Sequence, residues 1–295
     1  MQISRRAYAK INLSLAVGPP VRGGMHPISS WMHAVDLFDT VQVEWLGAPP
    51  PPTFEVTWAL DAPRPSPIDW PKEKDLAIRA LRLIEQREGR TLPISIKIEK
   101  RIPVGGGLGG GSSDAAATLM AISELMSLYF KRDALAKLSA TIGSDVAYFL
   151  DDALPPGPAL VRGLGDQIER LPRRFAGQPV ILIFPSFGCP TGAVYKAYDA
   201  LGPQPLRDDV VQMLVGHSDV TAAPLVNDLW EPAKSVQPEL LELKVRIFTL
   251  AHLNVRMSGS GSTLFLLPPA GKEAEIAAKI RAEVSDIAVL VSRLV

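Results

Sequence analysis

Ile94-Ser-Ile-Lys-Ile-Glu-Lys100-Arg101-Ile102-Pro103-Val104-Gly105-Gly106-Gly107-Leu108-Gly109-Gly110-Gly111-Ser112-Ser113-Asp114-Ala-Ala-Ala-Thr-Leu-Met-Ala-Ile122 places six glycines in the seven positions from Gly105 to Gly111. The residues before the run alternate as a strand does, and those after it read as an apolar helix. Glycine loses more backbone freedom on folding than any other residue, so a run this dense suits a place where something approaches the main chain closely. Bare N–H groups leading into a helix N-terminus converge on an anion, and the helix dipole favours negative charge there. The stretch therefore predicts a phosphate cradle. A flexible linker is the competing reading, but linkers are seldom wedged between a strand and an apolar helix.

Upstream, Ala7, Ala9, Ile11, Leu13, Leu15 and Val17 occupy every second position. This predicts a half-buried strand whose open face carries Lys10 and Asn12, about 6–7 Å apart. Val41–Trp45 and Phe54–Leu60 alternate around a proline-rich turn and read as a hairpin. Helices are expected near 74–88, 113–128 and 133–141, the last with Asp133 as its N-cap. Downstream, the run from Asp151 to Pro158 looks like a domain junction. Pro179–Pro185 is apolar throughout, as a central covered strand should be. Helices near 191–201, 238–252 and 271–284 and strands near 255–258, 263–267 and 287–294 complete a two-domain α+β expectation, divided as residues 1–157 and 158–295.

The bulk composition narrows the classes. The 295 residues are 47% apolar, enough for a real core, and 31 basic residues balance 31 acidic ones. No overall field draws the chain to nucleic acid or anionic lipid. The single cysteine, Cys189, suits a reducing cytoplasm and reads as an inert thiol beside Pro190. No apolar run approaches membrane-spanning length. His33, His217 and His252 lack metal-ligand spacing, so no protein metal site is expected.

The loop does not match the commoner phosphate motifs. Gly105, Gly107 and Gly110 satisfy G-x-G-x-x-G, but in a glycine run that match is nearly automatic. A dinucleotide fold also wants a tight strand–turn–helix–strand unit with an acidic residue on the second strand. A Walker loop needs Lys-Ser/Thr after its last glycine, whereas Ser112-Ser113-Asp114 stands here. The protein-kinase landmarks H-R-D and D-F-G are absent.

Pro103 to Ser113 resembles the central motif of the GHMP kinases. Ala9-Lys10-Ile11-Asn12-Leu13 resembles the first motif of that family. Arg256-Met-Ser-Gly-Ser-Gly-Ser-Thr-Leu-Phe265 resembles its third, a glycine turn closing over the nucleotide. Ile142-Gly-Ser-Asp145-Val, Arg162-Gly-Leu-Gly-Asp166, Pro190-Thr191 and Asn227-Asp-Leu229 are similar to the members that phosphorylate a CDP-linked methylerythritol for isoprenoid precursors. The resemblance implies a two-domain GHMP-kinase-like α+β fold, with its active site in the cleft between domains. It implies ATP as co-substrate, bound by Pro103, Val104, Gly105, Gly106, Gly107, Leu108, Gly109, Gly110, Gly111, Ser112 and Ser113. Mg²⁺ should arrive with ATP, held mainly by phosphate oxygens.

The same resemblance makes Lys10 and Asp145 catalytic. Asp145 would align the hydroxyl and accept its proton late, and Lys10 would orient Asp145 and offset phosphoryl charge. Without the family, a lone strand lysine is usually a solvated charge and an Asp at a helix start usually a cap. Substrate binding falls to Asn12, Met25, His26, Thr191 and Tyr195, with His26 hydrogen-bonding cytosine and Tyr195 stacking on it. Met25 stands where the family usually has an aromatic. Stacking is worth about 1–3 kcal/mol and a sulfur–ring contact about 0.3–1.5, so binding of the base should weaken unless a neighbour such as Trp31 compensates. Three other readings stay open. They are another small-alcohol kinase of the homoserine or mevalonate type, an NAD(P)-dependent oxidoreductase, and a nucleotide sensor without chemistry.

Overall fold

The computed structural model describes residues 1–21, 23–47, 52–128, 135, 139 and 141–295. The helix expected near 133–141, with its Asp133 cap, lies almost wholly outside them. The chain forms two compact units, and neither is continuous in sequence. The first comprises Met1–Ala9, Leu37–Val104 and Gly109–Pro156, and the second Lys10–Asp36, Gly105–Leu108 and Gly157–Val295. The sequence-based division at 157/158 lies one residue beyond the last of these breaks, between Pro156 and Gly157, but Lys10–Asp36 and the centre of the glycine loop belong with the C-terminal segment. Strands β1 (Gln2–Val17) and β2 (Ile28–Trp45) contribute to both units.

In the first unit, β4 (Ile94–Lys100) is the middle strand. It pairs antiparallel with Thr40–Trp45 of β2 and parallel with β3 (Thr53–Trp58). The hairpin expected between Val41–Trp45 and Phe54–Leu60 therefore does not form, because β4 is inserted between them. A strand's alternation reports its buried face and is blind to its neighbour, so the sequence could not tell the two arrangements apart. Helices α1 (Leu76–Glu88) and α2 (Gly110–Leu125) pack on each other. Ala77, Ala80, Leu81 and Ile84 form the buried stripe of α1. Its N-cap is Asp75, which accepts from the Ala77 amide at 2.9 Å and from Trp70 Nε1 at 2.9 Å. Asp75 thus serves as the helix cap.

In the second unit, Ile28–Met32 of β2 pairs antiparallel with β5 (Ala159–Gly163), which pairs with β6 (Gln167–Arg170). A separate sheet runs β10-β7-β9-β8, all antiparallel. Its strands are β7 (Pro179–Pro185), β8 (Arg256–Met257), β9 (Leu264–Leu266) and β10 (Ile287–Arg293). The apolar β7 is interior, between β10 and β9. Numbering helices onward, α3 is Val146–Phe149 in the first unit. The second unit adds α4 (Thr191–Asp199), α5 (Asp208–Val215), α6 (Trp230–Val236), α7 (Glu239–Ala251) and α8 (Glu273–Glu283). Among the described residues no helix is long and apolar enough to cross a membrane.

Candidate active site

Within the second unit the three sequence blocks meet at Gly105–Leu108. The Lys10 amide on β1 donates to Leu108 O at 2.9 Å, and the Thr263 amide to Gly106 O at 3.3 Å. Ser258 Oγ donates to Gly107 O at 2.9 Å and accepts from the Asn12 amide at 3.3 Å. Three consecutive loop carbonyls are therefore held by the first and third blocks. The Gly106 amide turns back toward Pro103 O, whereas the amides of Gly105, Gly107 and Leu108 donate to no protein acceptor among the described residues, although Leu108 is buried. Buried amides are nearly always paired in a protein, so consecutive ones without a protein acceptor are the signature of a donor cradle for an external anion.

Glycine is required here for two distinct reasons. Gly105 and Gly107 have φ of +71° and +76°, the left-handed region that L side chains avoid. Gly107 is also crowded, because a Cβ there would lie 2.2 Å from Ser258 O and 3.1 Å from Gly261 O.

Lys10 and Asn12 are buried, each only 3% exposed, and do not form the open face that strand alternation predicts. Every residue from Ala7 to Val17 is covered, and on the Asn12 side Ser258 of the third block lies against the strand. Lys10 Nζ donates to Asn12 Oδ1 at 2.6 Å, Asn12 Nδ2 to Ser30 Oγ at 2.8 Å, and Ser30 Oγ to Ser14 O at 2.8 Å. This relay fixes the ammonium's direction within a buried polar row. Asn227 Nδ2 bridges Met257 O and Gly259 O at 2.9 Å each, bracing the third block.

In the first unit the glycine run becomes α2. Its N-cap is Gly109, and no side chain caps its amides. A buried ion network holds both sides of this helix start. Lys100 Nζ lies 2.5 Å from Asp39 Oδ2 and 2.7 Å from Asp114 Oδ2. Asp39 Oδ1 accepts from the amides of Arg101 at 2.5 Å and Ile102 at 2.8 Å. Strand β2, the end of β4 and the first turns of α2 are thereby clamped together. Lys100, next to the glycine loop, commits its ammonium to these two carboxylates, whose charges outweigh burial and raise its pKa. Burial, with the charge of Asp39 adding to it, pushes the Asp114 carboxyl well above the usual range against the pull of Lys100. Asp39 and Asp114 went unnoticed in the sequence because a buried ion triad is assembled from three distant segments.

Asp145 occupies the N-cap position of α3, but its side chain caps nothing. The ordinary structural use of an Asp at a helix start is therefore not what holds it. Its turn lies against α2, since a Cβ on Gly143 would be 3.4 Å from Ser112 Oγ. Asp145 belongs to the first unit and Lys10 to the second.

His26, Thr191 and Tyr195 gather in the second unit. The His26 and Tyr195 rings are 5.1 Å apart, and the Tyr198 ring stands edge-on to His26 at 5.7 Å. His26 Nδ1 donates to Gly18 O at 2.9 Å, leaving Nε2 to face Asp199 Oδ1 at 3.3 Å. Thr191 Oγ1 is 3.0 Å from Ser260 Oγ, tying the start of α4 to the third block. Met25 is half exposed. Trp31 cannot compensate for it, because its ring is buried against Phe175 at 5.7 Å. Cys189 is buried, and burial pushes its thiol up to about 11, which agrees with an inert role. Among the described residues no group of three His, Cys, Asp or Glu could hold a metal ion.

Comparison with known proteins agrees with this geometry. Residues 75–152 match the GHMP kinases N terminal domain family. The 4-diphosphocytidyl-2-C-methyl-D-erythritol kinase of Thermobifida fusca is 34% identical, over 95% of this chain and 92% of its own. That of Caulobacter vibrioides is 35% identical, over 93% of each chain. A crystal structure of 4-(cytidine 5'-diphospho)-2C-methyl-D-erythritol kinase superposes with a TM-score of 0.73, at 30% identity and 99% coverage of both chains. The mevalonate kinase of Methanococcus jannaschii shares the fold, with a TM-score of 0.69 at 15% identity, 100% coverage of this chain and 98% of its own. Three blocks folded onto one glycine loop, in a chain matched from end to end, are the mark of a lineage: the chain belongs to the 4-diphosphocytidyl-2-C-methyl-D-erythritol kinase family of the GHMP kinases.

Proposed function

We propose that the chain transfers the γ-phosphate of ATP to a hydroxyl of 4-diphosphocytidyl-2-C-methyl-D-erythritol. The products are the 2-phosphate and ADP, and the step belongs to non-mevalonate isoprenoid precursor synthesis in the cytoplasm. The observation that carries this reading is the convergence of all three blocks on the donor cradle of Gly105–Leu108, in a chain whose full-length relatives bear that name.

Phosphoryl transfer asks for positioning and charge neutralisation more than for covalent chemistry. The cradle amides and the uncapped start of α2 take the phosphate oxygens, with Ser112 and Ser113 beside them. Lys10, aimed by Asn12, offsets charge on the transferred group. Asp145 aligns the attacking hydroxyl and accepts its proton late. Mg²⁺ delivered with the nucleotide would neutralise phosphate charge and be held mainly by phosphate oxygens. At the other end of the substrate, Tyr195 stacks on cytosine, His26 hydrogen-bonds it and Thr191 borders it.

The test is ADP release with ATP, Mg²⁺ and one alcohol at a time. Turnover with the CDP-linked methylerythritol, and none with mevalonate or homoserine, is the expected result. The reverse pattern overturns the substrate assignment. Protection of the chain by NADH and not by ATP overturns the kinase reading itself.

A further inference from the structure

Helix α7 in the second unit carries two apolar stripes. Leu240, Leu243 and Ile247 are buried. Leu241, Val245 and Phe248, spaced to share a second face, remain 42%, 54% and 51% exposed. That second face is one wall of a groove of about 690 Å³ that Trp230 also lines. The volume lies within the range of about 300–1,000 Å³ typical of small-molecule sites. Leu13 reaches the groove from β1. Side chains alternate along a strand, so Leu13 points to the face opposite Lys10 and Asn12. The groove is therefore on the other side of β1 from the reactive lysine.

Its charge is one-sided. Arg207, Lys244 and Arg256 line it, and no carboxylate does. Arg207 is paired with Asp228. The other two have no carboxylate within ion-pair distance among the described residues. Lys244 Nζ sits 3.9 Å from the centre of the Trp230 ring, and Arg256 Nη2 donates to Ala223 O at 2.7 Å. Burial and the neighbouring Arg256 lower the Lys244 pKa, and Glu231, itself paired with Lys234, offsets this only in part. Burial lowers Arg256 as well. Two partly desolvated cations without counter-charge, beside an exposed apolar wall, are stabilised by an anion that brings its own apolar body.

We propose that this groove is a second ligand site that binds a small amphiphilic anion, an aryl or short alkyl group bearing one sulfonate, phosphate or carboxylate. The apolar body lies on Leu241, Val245 and Phe248, and the acid group meets Lys244 and Arg256.

The probe is 8-anilinonaphthalene-1-sulfonate, titrated into the full chain and followed by fluorescence. A saturable one-to-one rise, unchanged by saturating ATP, is expected. Octyl phosphate should displace the probe, whereas inorganic phosphate and octyltrimethylammonium should not. Lys244→Glu and Phe248→Ser should each weaken binding by about tenfold or more, the equivalent of about 1.4 kcal/mol, with kinase turnover unchanged to show intact folding. Lys244→Gln is the milder variant if inversion of the charge disturbs the helix. Binding that ATP displaces, that the variants leave unchanged or that octyltrimethylammonium competes for would overturn the proposal. So would a dimer that Phe248→Ser abolishes, since a second copy of the chain would then fill the groove.

Discussion

Replacing Gly107 by alanine tests the contact on which the cradle depends, with Gly105→Ala as its control. Both residues have positive φ, so an L side chain at either costs about 1–2 kcal/mol of backbone strain. Alanine returns about 0.4–1 kcal/mol by restricting the unfolded chain. At Gly105 nothing lies within 4 Å of the added Cβ, so the net loss should be about 1 kcal/mol. At Gly107 the same atom would sit 2.2 Å from Ser258 O, which is backbone and far inside the 3.0 Å that real Cβ atoms respect. The loop and the third block must then part, which breaks the Ser258–Gly107 and Thr263–Gly106 hydrogen bonds. At about 0.5–1.5 kcal/mol each, these bring the expected cost of Gly107→Ala to about 2–4 kcal/mol. Urea unfolding measures the stability difference, and the KM for ATP reports the cradle. Gly107→Ala should raise that KM much more than Gly105→Ala does. Equal stability and equal KM for the two variants would refute the close approach and the cradle geometry with it.

Four further outcomes are expected. Asp145→Asn should lower turnover by about 10²-fold or more while leaving folding and the KM for ATP near wild type; retained turnover removes Asp145 from the chemistry. Met25→Tyr should lower the KM for the CDP-linked substrate, since Trp31 is buried and cannot supply the missing ring, and an unchanged KM would show the base held otherwise. Lys100→Met leaves Asp39 and Asp114 buried together without their cation, so urea unfolding should show a loss of about 3–5 kcal/mol; a loss below about 1 kcal/mol would mean the triad does not clamp the helix start. His33 is buried with Nε2 unpartnered, and burial lowers its pKa from 6.5 to about 4. A folded pKa below the unfolded one gives stability that is full above about pH 6.5 and fades as pH falls toward 4. At about 1.4 kcal/mol per unit the loss totals about 3 kcal/mol, and it should vanish from the wild-type minus His33→Asn difference if His33 is not its source.

The sequence alone determined the local elements with a periodic signal. Strand Ile94–Lys100 and strand Pro179–Pro185 have the bounds that alternation and apolar runs indicate, and α1, α4, α7 and α8 lie within a few residues of their expected places. The glycine loop and the three blocks were also readable, because each is a short run of adjacent residues, whereas the roles given to Lys10 and Asp145 came from the resemblance to a family. Tertiary structure decided everything that depends on a neighbour. It placed β4 between β2 and β3, where alternation is equally compatible with a hairpin. It covered Lys10 and Asn12, which the strand pattern left open to solvent. It joined Asp39, Lys100 and Asp114 into one buried triad from three segments, and it seated Trp31 in the core. Periodicity records which way a side chain points along its own element, but not which distant segment will desolvate it or answer its charge. Those choices rest on long-range contacts that no window of the sequence contains.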